Sequence, residues 1–179
     1  MIKEYFDPFD HAGTICKAMQ KGILLTTKND QQVNTMTIGW GMIGIEWGKP
    51  IFIAFVRKGR HTRKMLEDGE AFTVNCPYGE FNSRILGYCG TKSGKDTDKI
   101  ADMHLTLVPS DHIDVPSIKE FPLTLECKLL YAQPQDLSAI PADILKKYYP
   151  ADVDSSASGS NCDLHIAYYA EILSAYLIK

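Results

Sequence analysis

One spacing in the first third of the chain strongly limits the possible folds. The stretch IGWGMIG (38–44) contains Gly39, Gly41 and Gly44 in the order G-x-G-x-x-G, which in a Rossmann fold ends a strand and opens a helix within a βαβ unit of about 30 residues. Here only IEWGK separates Gly44 from Pro50 and from PIFIAFV, a continuous apolar run that is typical of a buried strand. Because no crossover helix fits into that gap, the sequence excludes a Rossmann turn.

Alternation around these glycines predicts one strand over residues 33–45. Its bulky apolar face, which belongs in a core, carries Met36, Ile38, Trp40 and Met42. The opposite face is small and polar and carries Thr35, Thr37, Gly39, Gly41 and Ile43. Glycine inside a strand marks either a place where a ligand approaches the backbone or a bend at a barrel corner, and the sequence leaves both interpretations open.

Short strands and short helices follow one another along the rest of the chain. The apolar periodicity and the turn residues predict further strands over 23–28, 50–56, 71–76 and 121–131, and one or two closing strands over 164–178. They predict helices over 11–22, 62–68, 79–89, 96–103 and 141–150, with Thr62 as the N-cap of the second helix. The alternation of apolar and polar residues over 121–131 predicts that this strand is half-buried. Because the helices are inserted rather than strictly alternating with strands, the pattern favours a mainly β, antiparallel barrel with helical insertions.

Composition and charge narrow the class of protein. A chain of 179 residues and 20.0 kDa is expected to form a single domain over residues 1–179. A net charge of -3 argues against nucleic acid or an anionic membrane as a partner. Five scattered cysteines without a C-x-x-C, an acidic start (MIKEYFDPFD) and the lack of a long apolar run predict a reduced, cytoplasmic protein.

Two further segments carry predictions of their own. The closing segment YYAEILSAYLI holds more aromatic and aliphatic surface than one strand face buries in a chain of this size, which predicts a C2 homodimer. The polar segment ADVDSSASGSN (151–161) is the most loop-like part of the sequence.

The segment RKGRHTRK (57–64) concentrates basic residues in a mildly acidic chain, between a buried strand and a short helix. A helix N-terminus offers unpaired N–H groups and partial positive charge, and guanidinium groups bind phosphate bidentately. The alternative is a solvated basic turn. The position before a helix favours a phosphate site that includes Arg57, Arg60, His61 and Thr62.

The sequence lacks the other common catalytic motifs. GTKSGKD (90–96) fails as a P-loop in its glycine spacing and in the residue after Lys95. The histidines lack metal-ligand spacing, so no metal site is predicted, and no G-x-S-x-G elbow occurs. A phosphate site without an evident acid, base or nucleophile indicates a cofactor that brings its own reactivity.

With these features, the chain resembles the flavin reductase-like, FMN-binding split-barrel family. The resemblance runs through ILLTTKNDQQVNTMTIGWG, PIFIAFVRKGRHTRKMLEDGEAFTVNCP, CGTKSGKDTDKIA and LHIAYYAEI. It implies a Greek-key split β-barrel, usually a homodimer, with FMN near the subunit interface.

The same resemblance implies the site residues. The isoalloxazine ring would lie against Asn34, Thr35, Met36 and Thr37, and the ribityl phosphate would be surrounded by Arg57, Arg60, His61 and Thr62. The loop that approaches the cofactor would contribute Cys89, Thr91, Ser93, Gly94 and Lys99, and His165 matches a histidine near the last strand.

The implied activity is oxidoreduction, in which electrons pass from NADH or NADPH through FMN to an acceptor. One alternative is an electron carrier of the flavoredoxin type, which receives electrons from a redox protein and has little nicotinamide activity. Another is a non-catalytic flavin-binding module.

Overall fold

The computed structural model of the chain describes residues 2–29, 32–150 and 163–179. Its strands are β1 (Lys3–Tyr5), β2 (Ile23–Lys28), β3 (Val33–Ile38), β4 (Gly41–Glu46), β5 (Lys49–Arg57), β6 (Ala71–Cys76), β7 (Leu107–Val108), β8 (Ser117–Ile118), β9 (Leu123–Pro134) and β10 (His165–Ile178). Its helices are α1 (Ala12–Met19), α2 (His61–Asp68), α3 (Arg84–Thr91), α4 (Lys99–Asp102) and α5 (Ala142–Tyr148), with a 3₁₀ turn at Leu137–Ala139.

One antiparallel sheet forms the frame of the molecule. Its strand order is β3-β2-β6-β9-β10-β5-β4, and β1 pairs with the end of β10. The two outermost strands, β3 and β4, are consecutive in the chain and joined by Gly39 and Trp40. The prediction of a mainly β, antiparallel fold with helical insertions is confirmed.

The core lies on both faces of the central strands, which explains their continuous apolar runs. One cluster fills the inside of the sheet and includes Leu25, Phe52, Phe72 and Tyr168. A second cluster lies on the opposite side of β2, where Leu24 packs with residues of α3 and with other buried side chains, among them Ile85, Leu86, Cys89 and Phe121. Helix α3 is thereby fixed against the outer face of the sheet.

The glycine-rich segment enters a tight hairpin, not a βα turn. β4 and β5 pair antiparallel from Gly41↔Ala54 to Glu46↔Lys49. Trp47 and Gly48 turn the chain with φ of 53° and 69°. The exclusion of a Rossmann turn is confirmed.

The predicted single strand over 33–45 is wrong, because the chain breaks at Gly39 and Trp40 and the alternation changes face there. Met36 and Ile38 are buried in the core as expected, but Trp40 and Met42 are 39% and 57% exposed. A Cβ on Gly41 would lie 2.9 Å from the Ile53 carbonyl oxygen. The space beside Gly41 is therefore filled by the protein itself, which argues against the approach of a ligand at this glycine.

The first half of β9 is not half-buried as predicted, because both of its faces are covered. Residues 123–127 are all buried, including Thr124 and Glu126 at 0% exposure. The Glu126 carboxylate accepts hydrogen bonds from the backbone N–H groups of Asp111 (2.9 Å) and His112 (2.8 Å). The loop before β8 therefore covers this face and satisfies the buried charge.

Two other expectations need correction. Thr62 is not the N-cap of α2; Arg60 holds that position, and Thr62 is buried in the first turn. The aromatic surplus of the closing segment is largely buried within the chain, since Tyr168 and Tyr176 are 1% and 0% exposed. The homodimer stays a prediction without that support.

The polar segment 151–161 lies outside the described residues. Among the described residues, no helix is long and apolar enough to cross a membrane.

Replacing Glu126 with Ala is expected to lower the free energy of unfolding by about 2–4 kcal/mol, since two part-buried N–H groups lose their carboxylate acceptor. Urea denaturation would measure this loss. Lys128→Ala, at an exposed position of the same strand, should change stability by less than about 0.5 kcal/mol. Equal effects of the two substitutions would show that the carboxylate does not hold the loop.

Candidate functional site

Two sequence blocks that are distant in the chain meet around one cleft of about 680 Å³, called here the basic cleft. One wall comes from the end of β5 and the start of α2, and the other from the loop between α3 and α4. Of the residues predicted for the site, those lining it are Met36, Arg57, Arg60, His61, Thr62, Cys89, Thr91, Ser93, Gly94 and Lys99. The volume is in the range of small-molecule and cofactor sites.

The N-terminus of α2 lies at this cleft, and no side chain among the residues that the structure describes caps it. Arg60 occupies the N-cap in an extended conformation, and no side chain in the described part of the chain accepts a hydrogen bond from the first turn. The first N–H groups of a helix carry partial positive charge and need acceptors. With Arg60 beside them, they form an arrangement that suits an anion such as phosphate.

A polar contact fastens the two walls together. Asn34, buried on β3, donates from Nδ2 to Oγ1 of Thr62 on α2 at 2.9 Å. The loop lies directly on Asn34, because a Cβ at Gly94 would be 2.0 Å from Asn34 Oδ1. Only glycine permits this approach. Asn34 is thus placed under the cleft, where it positions Thr62 and the loop.

Lys99 is a buried cation at the start of α4. It is 4% exposed, and its Nζ donates to the backbone oxygens of Thr35 (2.9 Å) and Cys89 (3.0 Å). Burial lowers the pKa of Lys99 from 10.5 to about 8, so the ammonium form still dominates at neutral pH. In the part of the chain that the structure describes, no carboxylate forms an ion pair with it. An ammonium carries three N–H donors, so one remains for a ligand in the cleft.

His61 is held as a neutral donor in the first turn of α2. Burial, and then the Lys99 and Lys64 ammonium groups, lower the pKa of His61 below its ordinary value. The Gln32 side-chain amide N–H donates to His61 Nε2, with 2.8 Å between the nitrogens. Because that nitrogen must accept, the ring proton lies on Nδ1, which is left as a hydrogen-bond donor. Gln32 was not among the predicted site residues.

Thr35 and Thr37 turn their side chains to the protein, not to the basic cleft. The Thr35 hydroxyl is buried against Thr26 at 3.1 Å. The Thr37 hydroxyl donates to the backbone oxygen of Leu86 at 2.7 Å. These contacts anchor β3 to β2 and α3, so any interaction of these two residues with a cofactor would come from their backbone.

His165 does not itself line the basic cleft; it pairs with Arg57 across β10 and β5 and lies in a group of aromatic side chains. Its Nδ1 is 2.8 Å from the Tyr149 hydroxyl, and its ring centroid is 4.6 Å from that of Trp40. Burial, and then Arg57 and Arg60, lower the pKa of His165 to about 3, so it is neutral at neutral pH. Tyr149 was missed by the sequence analysis, although its position in KKYYP at a predicted helix end was a usable signal.

Arg57 lines the cleft but uses its guanidinium to hold the backbone. Nη1 donates to the Asp163 oxygen at 2.8 Å and Nη2 to the Tyr148 oxygen at 3.1 Å. The guanidinium also lies over the rings of Tyr149 and Trp40, with its carbon 5.2 and 5.8 Å from their centroids. Asp163 itself lines the cleft.

Solved structures share this fold. Flavoredoxin of Desulfovibrio vulgaris (Miyazaki F) is similar with a TM-score of 0.64 and 24% identity, over 88% of this chain and 69% of that one. An FMN-binding domain of a flavin reductases-like enzyme from Shewanella baltica OS155 has a TM-score of 0.62 and 16% identity, over 98% and 77%. These likenesses identify the fold as a flavin reductase split barrel, as predicted.

Sequence comparison gives the family. An uncharacterized protein of Archaeoglobus fulgidus is 29% identical over 100 residues, which are 56% of this chain and 55% of that protein. The chain therefore matches little more than half the length of this curated relative. The model of the flavin reductase like domain matches residues 18–166, which include both walls of the basic cleft. The chain belongs to the flavin reductase like domain family.

Proposed function

We propose that this protein binds FMN in the basic cleft and passes electrons from NADH or NADPH through the flavin to an acceptor. The observation that carries the proposal is the uncapped N-terminus of α2, which meets Arg60, His61 and the buried Lys99 at one cleft. Membership in the flavin reductase like domain family supports the choice of flavin over other phosphate-bearing cofactors.

The phosphate end of FMN fits the start of α2. The first N–H groups of the helix and the Nδ1–H of His61 donate without carrying a full charge, while Arg60 supplies a bidentate cation. The Arg60 side chain has no hydrogen-bond partner among the described residues, so its guanidinium is available to a ligand. This combination favours the doubly charged phosphate over a neutral ribityl end.

The flavin ring would be oriented by backbone rather than by acid or base side chains. The Lys99 ammonium is fixed on the Thr35 and Cys89 oxygens, so it supplies a positive charge beside the strand that the family resemblance assigns to the ring. Gly94 brings the loop close to Asn34 and leaves room on the cleft side. Bound FMN would supply the redox chemistry, and the protein would supply orientation and electrostatics.

Arg60→Ala is expected to weaken FMN binding by about 10- to 150-fold, the equivalent of losing one charge-assisted hydrogen bond of about 1.5–3 kcal/mol. Riboflavin, which lacks the phosphate, should bind weakly and equally to both proteins. Fluorescence titration measures both affinities. Lys58→Ala removes an exposed charge from the same basic turn, outside the residues that line the cleft, and serves as the control. If Arg60→Ala bound FMN as tightly as the wild type, the phosphate would lie elsewhere.

FMN affinity is expected to fall as pH rises from 7 to 9. Because the pKa of Lys99 in the free protein is about 8, the cation that favours an anionic ligand is mostly present at pH 7 and mostly lost at pH 9. The dissociation constant should increase by up to about tenfold over this range. Lys99→Met should bind more weakly at pH 7 and show a flat profile. A flat profile for the wild type would exclude Lys99 from the binding site.

Anaerobic mixing with NADH or NADPH is expected to bleach the bound flavin within seconds, because a ring with one open face can stack with a nicotinamide at about 3–3.5 Å. Stopped-flow absorbance would follow the reaction, with dithionite as the control for a reducible flavin. Flavin that dithionite reduces, but that both nicotinamides leave oxidised for hours, would contradict the reductase activity. That outcome would favour an electron carrier.

A further inference from the structure

Arg57 stands at the junction of three segments that are far apart in the sequence. It ends β5, while the oxygens that it binds belong to Tyr148 at the end of α5 and to Asp163 just before β10. These carbonyls are separated from it by 91 and 106 positions. Its two terminal nitrogens therefore tie α5 and the start of β10 to the rim of the basic cleft.

The surroundings of Arg57 form a built cluster, defined here as Trp40, Arg57, Tyr148, Tyr149 and His165. Tyr149 is 8% exposed and His165 5% exposed. The Tyr149 hydroxyl donates to Gln135 Oε1 at 2.9 Å, and the Tyr148 ring meets Trp40 edge-on at 5.3 Å. Such a network fixes the guanidinium plane and its fork of donors.

Arg57 and Arg60 differ in this respect, although both come from the same basic turn. The Arg57 guanidinium is engaged by backbone oxygens and by the faces of two aromatic rings. Arg60, three positions later, is the N-cap residue of α2, and its guanidinium has no hydrogen-bond partner among the described residues. A guanidinium fixed on two carbonyls would have to give up those bonds to bind a phosphate.

We propose that Arg57 is a positioning residue rather than a phosphate ligand, and that it holds Asp163, in the wall of the basic cleft, against the end of α5 at Tyr148. This inference rests on the proposed binding of flavin. The wall shapes the cleft for the whole cofactor, so loss of Arg57 weakens binding of FMN and of riboflavin by the same factor. Of the two arginines, only Arg60 discriminates between the two ligands.

Four variants test the proposal: Arg57→Ala, Arg57→Lys, Arg60→Ala and the exposed neighbour Lys58→Ala as the control. All carry Trp47→Phe, which leaves Trp40 as the only tryptophan. FMN and riboflavin affinities are measured by calorimetry at a temperature where circular dichroism shows each variant folded. Trp40 emission reports the cluster directly, because Arg57 and Tyr148 lie beside that ring.

We expect Arg57→Ala to lower the affinity for both ligands by about 10- to 100-fold, because a displaced wall misplaces the binding groups. The same substitution should shift the emission of Trp40. Arg57→Lys keeps the charge but cannot donate to two carbonyls as a fork, so it should restore little of either property. Arg60→Ala should weaken the binding of FMN but not of riboflavin, and it should leave the Trp40 emission unchanged. Lys58→Ala should resemble the wild type.

Three outcomes would overturn the proposal. If Arg57→Ala weakened the binding of FMN but not of riboflavin, Arg57 would be a phosphate ligand. Arg57→Lys with full affinity would show that only the charge matters. Arg57→Ala with lower thermal stability but unchanged affinities would leave Arg57 a purely structural residue. If the wild type bound no flavin, the proposed function would fail, while the emission shift would still test whether Arg57 holds Trp40 and Tyr148 in place.

Discussion

The close approach of Gly94 to Asn34 is the contact on which the basic cleft depends. It brings a loop that follows α3 onto a strand that lies far earlier in the chain, and the same Asn34 side chain binds the first turn of α2 through Thr62. Three segments thus share one buried amide. A side chain at position 94 would separate the loop from the strand, and with it the Lys99 ammonium from the N-terminus of α2.

The electrostatics of the cleft follow from burial more than from the number of charges. The protein carries a net charge of -3, yet the cleft collects Arg60, Lys99 and the helix N-terminus in one place. Burial lowers the pKa of both Lys99 and His61, so one stays a cation and the other becomes a neutral donor. A site of this kind attracts an anion strongly without repelling the uncharged parts of the same ligand.

The features that could be predicted from the sequence are those set by short-range spacing. The gap between Gly44 and Pro50 excluded a crossover helix, and the basic turn marked the start of α2, where Arg60, His61 and Thr62 line the basic cleft. The changes of face could not be predicted, because the break at Gly39 and Trp40 reverses the alternation of β4. Nor could the role of Glu126 or Arg57, since both bind backbone atoms of distant segments, which leave no pattern in side-chain identity. The family resemblance suggested residues most of which line the basic cleft, but it did not suggest their hydrogen-bond partners.

The position of β10 has a consequence for the order of events during synthesis. This last strand pairs with β1, β5 and β9, and no other strand in the described ranges connects β5 and β4 to the rest of the sheet. Until it leaves the ribosome, the nascent chain can form a four-stranded sheet and a hairpin that no strand pairing in the described ranges joins to that sheet, while α2 contacts β3 through Thr62 and Asn34. β5 gains its second neighbouring strand only with β10, and the Asp163 carbonyl that Arg57 binds comes from the residue just before this strand begins. This edge of the basic cleft is therefore completed late in synthesis.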